Sequence, residues 1–298
     1  MNRAALEPRA STERLTSPAS ALAASASIEL GRIDLPELAD ARALLGPGRR
    51  VHVSHLPRQT WEQTFDLAAQ VARAGFDPVP HVPVRLIGSE LELDMVLRSL
   101  RDAGARELLL ISGDYPQARG PFSEVRAVLE RGRLQALGFA RVSFAGHPEG
   151  HPAVPADEIR RAQIAKARLA AEQGLEVTLV TQFFFETEPF IEWARDLRLA
   201  GVAARLVAGL PGPAGVTQLL KLARHCGVGP SMRALTSRPG NLLRLMTDHR
   251  PDALLNGLAD AKRREPALFD GIHLFSFGGL RRTAAWLDEM ARDHSAQV

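Results

Sequence analysis

Eight short apolar runs, separated by longer stretches of helical period, constrain this chain more than any other feature. The runs at 27–30, 51–54, 78–81, 107–112, 141–145, 176–182, 204–208 and 271–275 are rich in leucine and β-branched residues. Most are bounded by Gly, Pro or Asp, as buried strands are. Between them, 61–74, 91–103, 156–173, 188–199, 216–225 and 281–292 read as helices. In the first of these, Trp61, Phe65, Leu67, Ala68 and Val71 form an apolar stripe, and Gly75 and Gly104 stand where C-caps belong. Strand and helix in alternation imply a parallel sheet covered by helices. Eight repeats favour a closed (β/α)8 TIM barrel over a doubly wound sheet, whose phosphate fingerprints G-x-G-x-x-G and G-x-x-x-x-G-K-[ST] are missing. The 298 residues hold one such barrel, of about 250 residues, and a tail. Residues 1–26, rich in Ala, Ser, Pro and Arg without period, read as a flexible N-terminal tail, and 27–298 as the barrel.

Composition removes several function classes. The single cysteine, Cys226, excludes an intrachain disulfide framework, a Cys-based zinc site and an iron–sulfur cluster. The net charge is +3, and basic residues alternate with acids, as in Arg98-Ser-Leu-Arg-Asp102 and Ala261-Lys-Arg-Arg-Glu265. That pattern describes solvated helix faces, so no nucleic-acid partner is expected. No apolar run approaches the roughly 20 residues that span a bilayer. Ser20-Ala-Leu-Ala-Ala-Ser-Ala26 has the small residues of a cleavage site, but Glu7 and Glu13 precede it and a sustained apolar segment does not. A cytoplasmic protein without membrane contact is the expectation.

In a barrel of this kind, function sits where the strands end. The polar residues there are Glu29, Ser54, His55, His81, Ser112, Gly113, Asp114, His147, Glu149, His151, Gln182 and His273. Their convergence on one rim makes a pocket the default site. Glu29 reads either as a surface acid or as a carboxyl at the barrel mouth, where desolvation would raise its pKa toward proton-donating range. Gly113-Asp114 reads either as a turn or as a point where a ligand approaches the backbone beside a fixed negative charge. His147-Pro-Glu-Gly-His151 is a poor metal pair, because Pro148 and Gly150 disfavour a helix presenting both imidazoles, and no metal is expected. On pattern alone Gln182 is a loop amide, and Phe183–Phe185 are core or pocket wall.

Taken together, Ser27-Ile-Glu29, Pro80-His81, Ser112-Gly-Asp-Tyr-Pro116, Ala145-Gly-His-Pro-Glu-Gly-His-Pro152 and Val180-Thr-Gln-Phe-Phe-Phe-Glu186 resemble, in order and spacing, the bacterial methylenetetrahydrofolate reductases. The resemblance runs from Ser27 to Trp286 and is specific only in combination. It implies a barrel that holds FAD at its C-terminal rim and passes hydride, in ping-pong fashion, from NADH or NADPH through the flavin to 5,10-methylenetetrahydrofolate, giving 5-methyltetrahydrofolate. On that resemblance Glu29 is the general acid, Asp114 the aspartate beside flavin and pterin, and Gln182 a substrate contact. Ser54, His81, Ser112, Gly113, Asp114, His147, His151 and Lys166 are then FAD-binding, with Arg168 as a substitute for Lys166. A homo-oligomer is implied as well.

Four departures bear on the cofactor. Ser112 stands where an arginine is common, His147 where a tyrosine is usual, His81-Val-Pro-Val84 replaces H-L-T-C, and His273-Leu-Phe-Ser-Phe-Gly-Gly279 lacks the usual tyrosine and arginine. They leave open a divergent member that oxidises methyltetrahydrofolate in C1 catabolism or works without FAD, and a folate-binding barrel that has lost catalysis.

Overall fold

The computed structural model describes residues 17–113, 115–215, 217–219, 221–222 and 250–292. Its strands are β1 (Ser27–Leu30), β2 (Arg50–Val53), β3 (Asp77–Pro83), β4 (Glu107–Ile111), β5 (Arg141–Gly146), β6 (Glu176–Phe183), β7 (Arg205–Pro211) and β8 (Gly271–Phe275). Each pairs in parallel with the next, and β8 closes on β1, giving the eight-stranded barrel expected from the alternation. Around it lie α1 (Pro18–Ser25), α2 (Leu38–Leu45), α3 (Trp61–Arg73), α4 (Glu90–Asp102), α5 (Val125–Leu129), α6 (Ala156–Glu172), α7 (Glu188–Leu199), α8 (Asp252–Arg264) and α9 (Leu280–Arg292). The expected helix at 216–225 falls largely outside the described residues.

Strand alternation sorts the side chains. Ile28, Leu30, Val51, Val53, Leu108, Leu110, Val142, Leu179, Leu206 and Ile272 pack outward into one core shared with the helices. The residues between them face the barrel axis. Register therefore sets Glu29 beside His52, His81 beside Leu109, Ser143 beside Thr178 and Gly209 beside His273. The helices begin where chemistry allows: Thr60 caps α3 with Gln63 reaching back in a capping box, and Ser89 accepts from the Glu92 amide to cap α4.

Of the stretch expected to be a flexible tail, residues 1–16 lie outside the described residues and 18–25 depart from the expectation. Pro18–Ser25 is a helix capped by Ser17, with Ala19, Leu22 and Ala23 buried. Ser20 Oγ donates to the Met290 carbonyl (3.1 Å) on α9, and Arg49 Nη1 donates to the Ala26 carbonyl (2.6 Å). An eight-residue Ala/Ser segment shows little amphipathic signal, and tertiary packing supplies what local sequence does not.

Between Val180 and Phe183 the β6–β7 register shifts. Thr181 Oγ1 accepts the Gly209 amide (2.8 Å), replacing a ladder bond. A Cβ on Gly209 would lie 2.3 Å from the Thr181 carbonyl oxygen, so only glycine permits this approach. Bulges re-aim side chains at barrel rims. Here Gln182 lines the cleft described below, while Phe183 packs with Phe185, Phe275 and Phe277.

Candidate active site at the C-terminal rim

The rim carries an acid cluster and an adjoining cleft. Glu29 sits at the centre of the first. Ser54 Oγ donates to its Oε1 (2.7 Å), and the Nε2 atoms of His81 and His273 each lie 3.7 Å from its Oε2. His273 is held from behind, with Nδ1 2.9 Å from Ser27 Oγ. His52, buried between them, has its ring centroid 4.4 Å from that of His273 and 5.6 Å from that of His81. The Phe275 ring stands 4.8 Å from His273 and 5.8 Å from Phe183, an aromatic wall beside the acid.

Electrostatics at Glu29 run opposite to the expectation. Burial pushes its pKa up, but His81, His273 and the Ser54 hydroxyl together more than offset it and bring the group down to about 2. Glu29 is thus a carboxylate near neutrality. Desolvation alone would raise its pKa, and the partners that outweigh desolvation come from elsewhere on the rim, Ser54 just after β2, His81 on β3 and His273 on β8. Burial lowers the imidazoles in turn: His52 well below its ordinary value, and His81 more mildly because Glu29 opposes the effect.

The cleft, about 670 Å³, is of a size usual for ligand sites, about 300–1,000 Å³. Ser112, Gly113, His147, His151, Lys166 and Gln182 all line it, together with Arg85, Tyr115 and His55, and Ile111, Ala145, Val154 and Ile159 are its apolar wall. Gly113 adopts φ +85°, and a Cβ there would meet Pro83 Cβ at 2.9 Å, so the turn requires glycine. His147 is brought down to about 4 by burial, Lys166 and His151, and is therefore a neutral ring. Lys166 lies over the Phe144 ring at 5.6 Å, and burial lowers its pKa, with Glu124 opposing. Arg168 donates to the Ala200 carbonyl (3.0 Å) and does not line the cleft, so of the two α6 candidates Lys166 is the one that faces it.

Six expected positions thus share one cleft, while Glu29, Ser54 and His81 form the acid cluster. Asp114 lies outside the described residues. Sequence reading missed His52, Gln163 and Trp193. For His52 the signal was present, since it precedes Ser54 by two residues on one strand and so shares its inward face. Among the described residues no group of His, Cys, Asp and Glu is arranged to hold a metal, and no helix is long and apolar enough to cross a membrane.

The buried imidazoles make stability pH-dependent. His55, lowered to about 4 chiefly by burial, and His147 stay neutral when folded, whereas unfolded histidine protonates near 6.5. Between those values the unfolded chain binds more protons, so stability is complete above pH 6.5 and falls as pH drops toward 4. Glu29 adds a loss from 4.5 down to about 2. Calorimetry is expected to give a lower Tm at about pH 5 than at about pH 7.5. Equal values would mean that the imidazoles protonate in place.

The sequence model of the family described as methylenetetrahydrofolate reductase matches residues 55–232, more than half of the chain. Glu29, Ser54 and His273 lie outside that stretch, and His81, Ser112, His147, Lys166 and Gln182 within it. The chain is 24% identical to methylenetetrahydrofolate reductase (NADH) 1 of Arabidopsis thaliana over 45% of its own length and 25% of that protein's. It is 25% identical to the 5,10-methylenetetrahydrofolate reductase of Pectobacterium carotovorum subsp. carotovorum, over 52% of this chain and 50% of that one. Against the Salmonella typhimurium enzyme of the same name the figures are 24%, 51% and 49%. The matches thus span half or less of the length of these relatives. With the family match running from the end of β2 through β7, the chain belongs to the methylenetetrahydrofolate reductase family.

Proposed function

We propose that the protein is a flavin-dependent reductase that moves hydride from NADH or NADPH to 5,10-methylenetetrahydrofolate, giving 5-methyltetrahydrofolate. The observation that carries this reading is that, in a chain of this family, one barrel rim carries both a fixed carboxylate and a cleft of ligand size. Glu29 is held by Ser54, His81 and His273, and the cleft is lined by Ser112, Gly113, His147, His151, Lys166 and Gln182.

The residues present fit FAD. Lys166 faces the cleft without an ion pair among the described residues, as suits a diphosphate. The glycine turn at 113 admits a flat ring close to the backbone, and the neutral His147 offers a ring face and an N–H. When bound, the flavin supplies two-electron chemistry, accepting hydride from the nicotinamide and releasing it to the folate. The chain's own work is to handle protons and charge. Opening the five-membered ring of the folate breaks the bond between the methylene carbon and N10, and N10 takes up a proton. The methylene is then left as an iminium on N5, which accepts the hydride. Glu29, a carboxylate in the free protein, is assigned to deliver that proton after taking one up from solvent once the folate is bound, with His81 and His273, close to its Oε2, as the relay. As a carboxylate, Glu29 also favours the cationic iminium once the proton has left. Gln182 is assigned to the pterin ring, and Asp114 to the same region as a second negative charge.

The test is anaerobic spectroscopy of the purified chain with added FAD. Flavin bands that bleach with NADH or NADPH and return on adding methylenetetrahydrofolate are the expected result, and they name the donor. A protein that takes up no flavin would overturn the reading in favour of flavin-free chemistry or folate binding alone. Lys166→Met is expected to weaken FAD binding about ten- to a hundredfold, the worth of a hydrogen bond to a charged group. Fluorescence titration reads this directly, and an unchanged Kd would remove Lys166 from the cofactor site.

A further inference from the structure

Gln163 is 2% exposed, in the middle of α6, and a buried amide must satisfy both of its ends. Trp193 Nε1 on α7 lies 3.0 Å from Gln163 Oε1, and Gln163 Nε2 lies 3.3 Å from His147 Nδ1. An indole nitrogen can only donate, so the amide atom facing Trp193 is the oxygen. The NH2 is thereby turned to His147 and donates to Nδ1. A neutral imidazole that accepts at Nδ1 carries its proton on Nε2.

The direction of the chain of bonds is built into the fold. Gly146 ends β5 without a side chain, and a Cβ there would lie 2.8 Å from Trp193 Cζ2, so the indole seats beneath His147 only because residue 146 is glycine. His147 stands between the cleft and a smaller groove of about 330 Å³ between α6 and α7, lining both. Among the described residues the one hydrogen bond to the His147 ring is at Nδ1, which leaves Nε2 for a ligand of the ring.

We propose that Trp193 and Gln163 are positioning residues that lock His147 as its Nε2–H tautomer, making the ring an obligate hydrogen-bond donor to an acceptor atom of the nucleotide cofactor in the cleft. The second half rests on the flavin reading above. A tyrosine needs no such support, because a phenol both donates and accepts. An imidazole at this position becomes a dependable donor only when its other nitrogen is occupied, and Gln163 occupies it.

The full chain, labelled with 15N at histidine and free of flavin, reports the tautomer by NMR at about pH 8.5, two units above the ordinary histidine value. His147→Phe identifies the signal. The expected wild-type result is Nε2–H alone. In Gln163→Glu a carboxylate faces Nδ1, and the expected tautomer is Nδ1–H, with FAD binding weakened about tenfold. Trp193→Phe leaves the amide free to turn over, and is expected to give both tautomers and an intermediate Kd. An Nδ1–H ring in the wild type, or an unchanged tautomer in both variants, overturns the lock. A switched tautomer with unchanged FAD affinity overturns the donor role. Failure of the wild type to bind FAD overturns the flavin reading and the donor role with it, while the tautomer itself still decides the lock.

Discussion

Glu29→Gln is expected to slow reduction of methylenetetrahydrofolate by about 10²–10⁴, the usual worth of a positioned general acid, and to leave flavin reduction by NADH or NADPH within a few-fold of wild type. Glutamine is nearly isosteric and can still accept from Ser54 Oγ, so the cluster keeps its shape. What it loses is the proton and the negative charge. In the proposed reaction only the folate half needs the proton, because only there does a carbon–nitrogen bond open and N10 take a proton up. Stopped-flow measurement of each half-reaction separates the cases. Loss of both halves would make Glu29 a structural anchor for the rim. Loss of neither would send the search for the acid to His81 and His273, the two imidazoles that reach the same oxygen.

The barrel was legible because its signal is local. All eight strands lie where short apolar runs predict them, 27–30 and 271–275 with the same bounds, since a strand buried on both faces must be apolar along its length. The helix at residues 18–25 was not legible, because its stability comes from α9, about 270 residues away. The cleft was legible in part. Ser112, Gly113, His147 and His151 follow strands whose C-terminal ends must share a rim, whereas Lys166 came from the family resemblance, and only the structure separates it from Arg168. The charge state of Glu29 was hidden, because His273 reaches it only when β8 closes on β1, a pairing that no window of sequence contains. Gln163 and Trp193 were hidden for a related reason. Each reads as an ordinary helix residue until α6 and α7 lie side by side.

At the opposite end of the barrel, Glu107→Ala is expected to cost about 3 kcal/mol of stability without altering cofactor affinity. Glu107 opens β4, is 2% exposed, forms an ion pair with Arg50 Nε (3.1 Å), and accepts from Arg141 Nε (3.1 Å) and the fully buried Ser143 hydroxyl. It therefore joins β2, β4 and β5, reaching across β3. Removing one partner of a buried ion pair leaves the others uncompensated, at about 3–5 kcal/mol. The low end applies here because Arg50 and Arg141 keep 30% and 26% of their side-chain surface exposed and can turn to water, while Ser143 cannot. Glu107→Gln, which keeps an acceptor for Ser143, is expected to lose less than the alanine variant. The reading is a lower urea midpoint at unchanged slope, with FAD affinity measured in parallel. A shift well under 1 kcal/mol would show that water already satisfies the arginines. A change in FAD affinity would show that the two ends of the barrel are coupled, whereas in this fold the strand C-termini carry function and the N-terminal end carries stability.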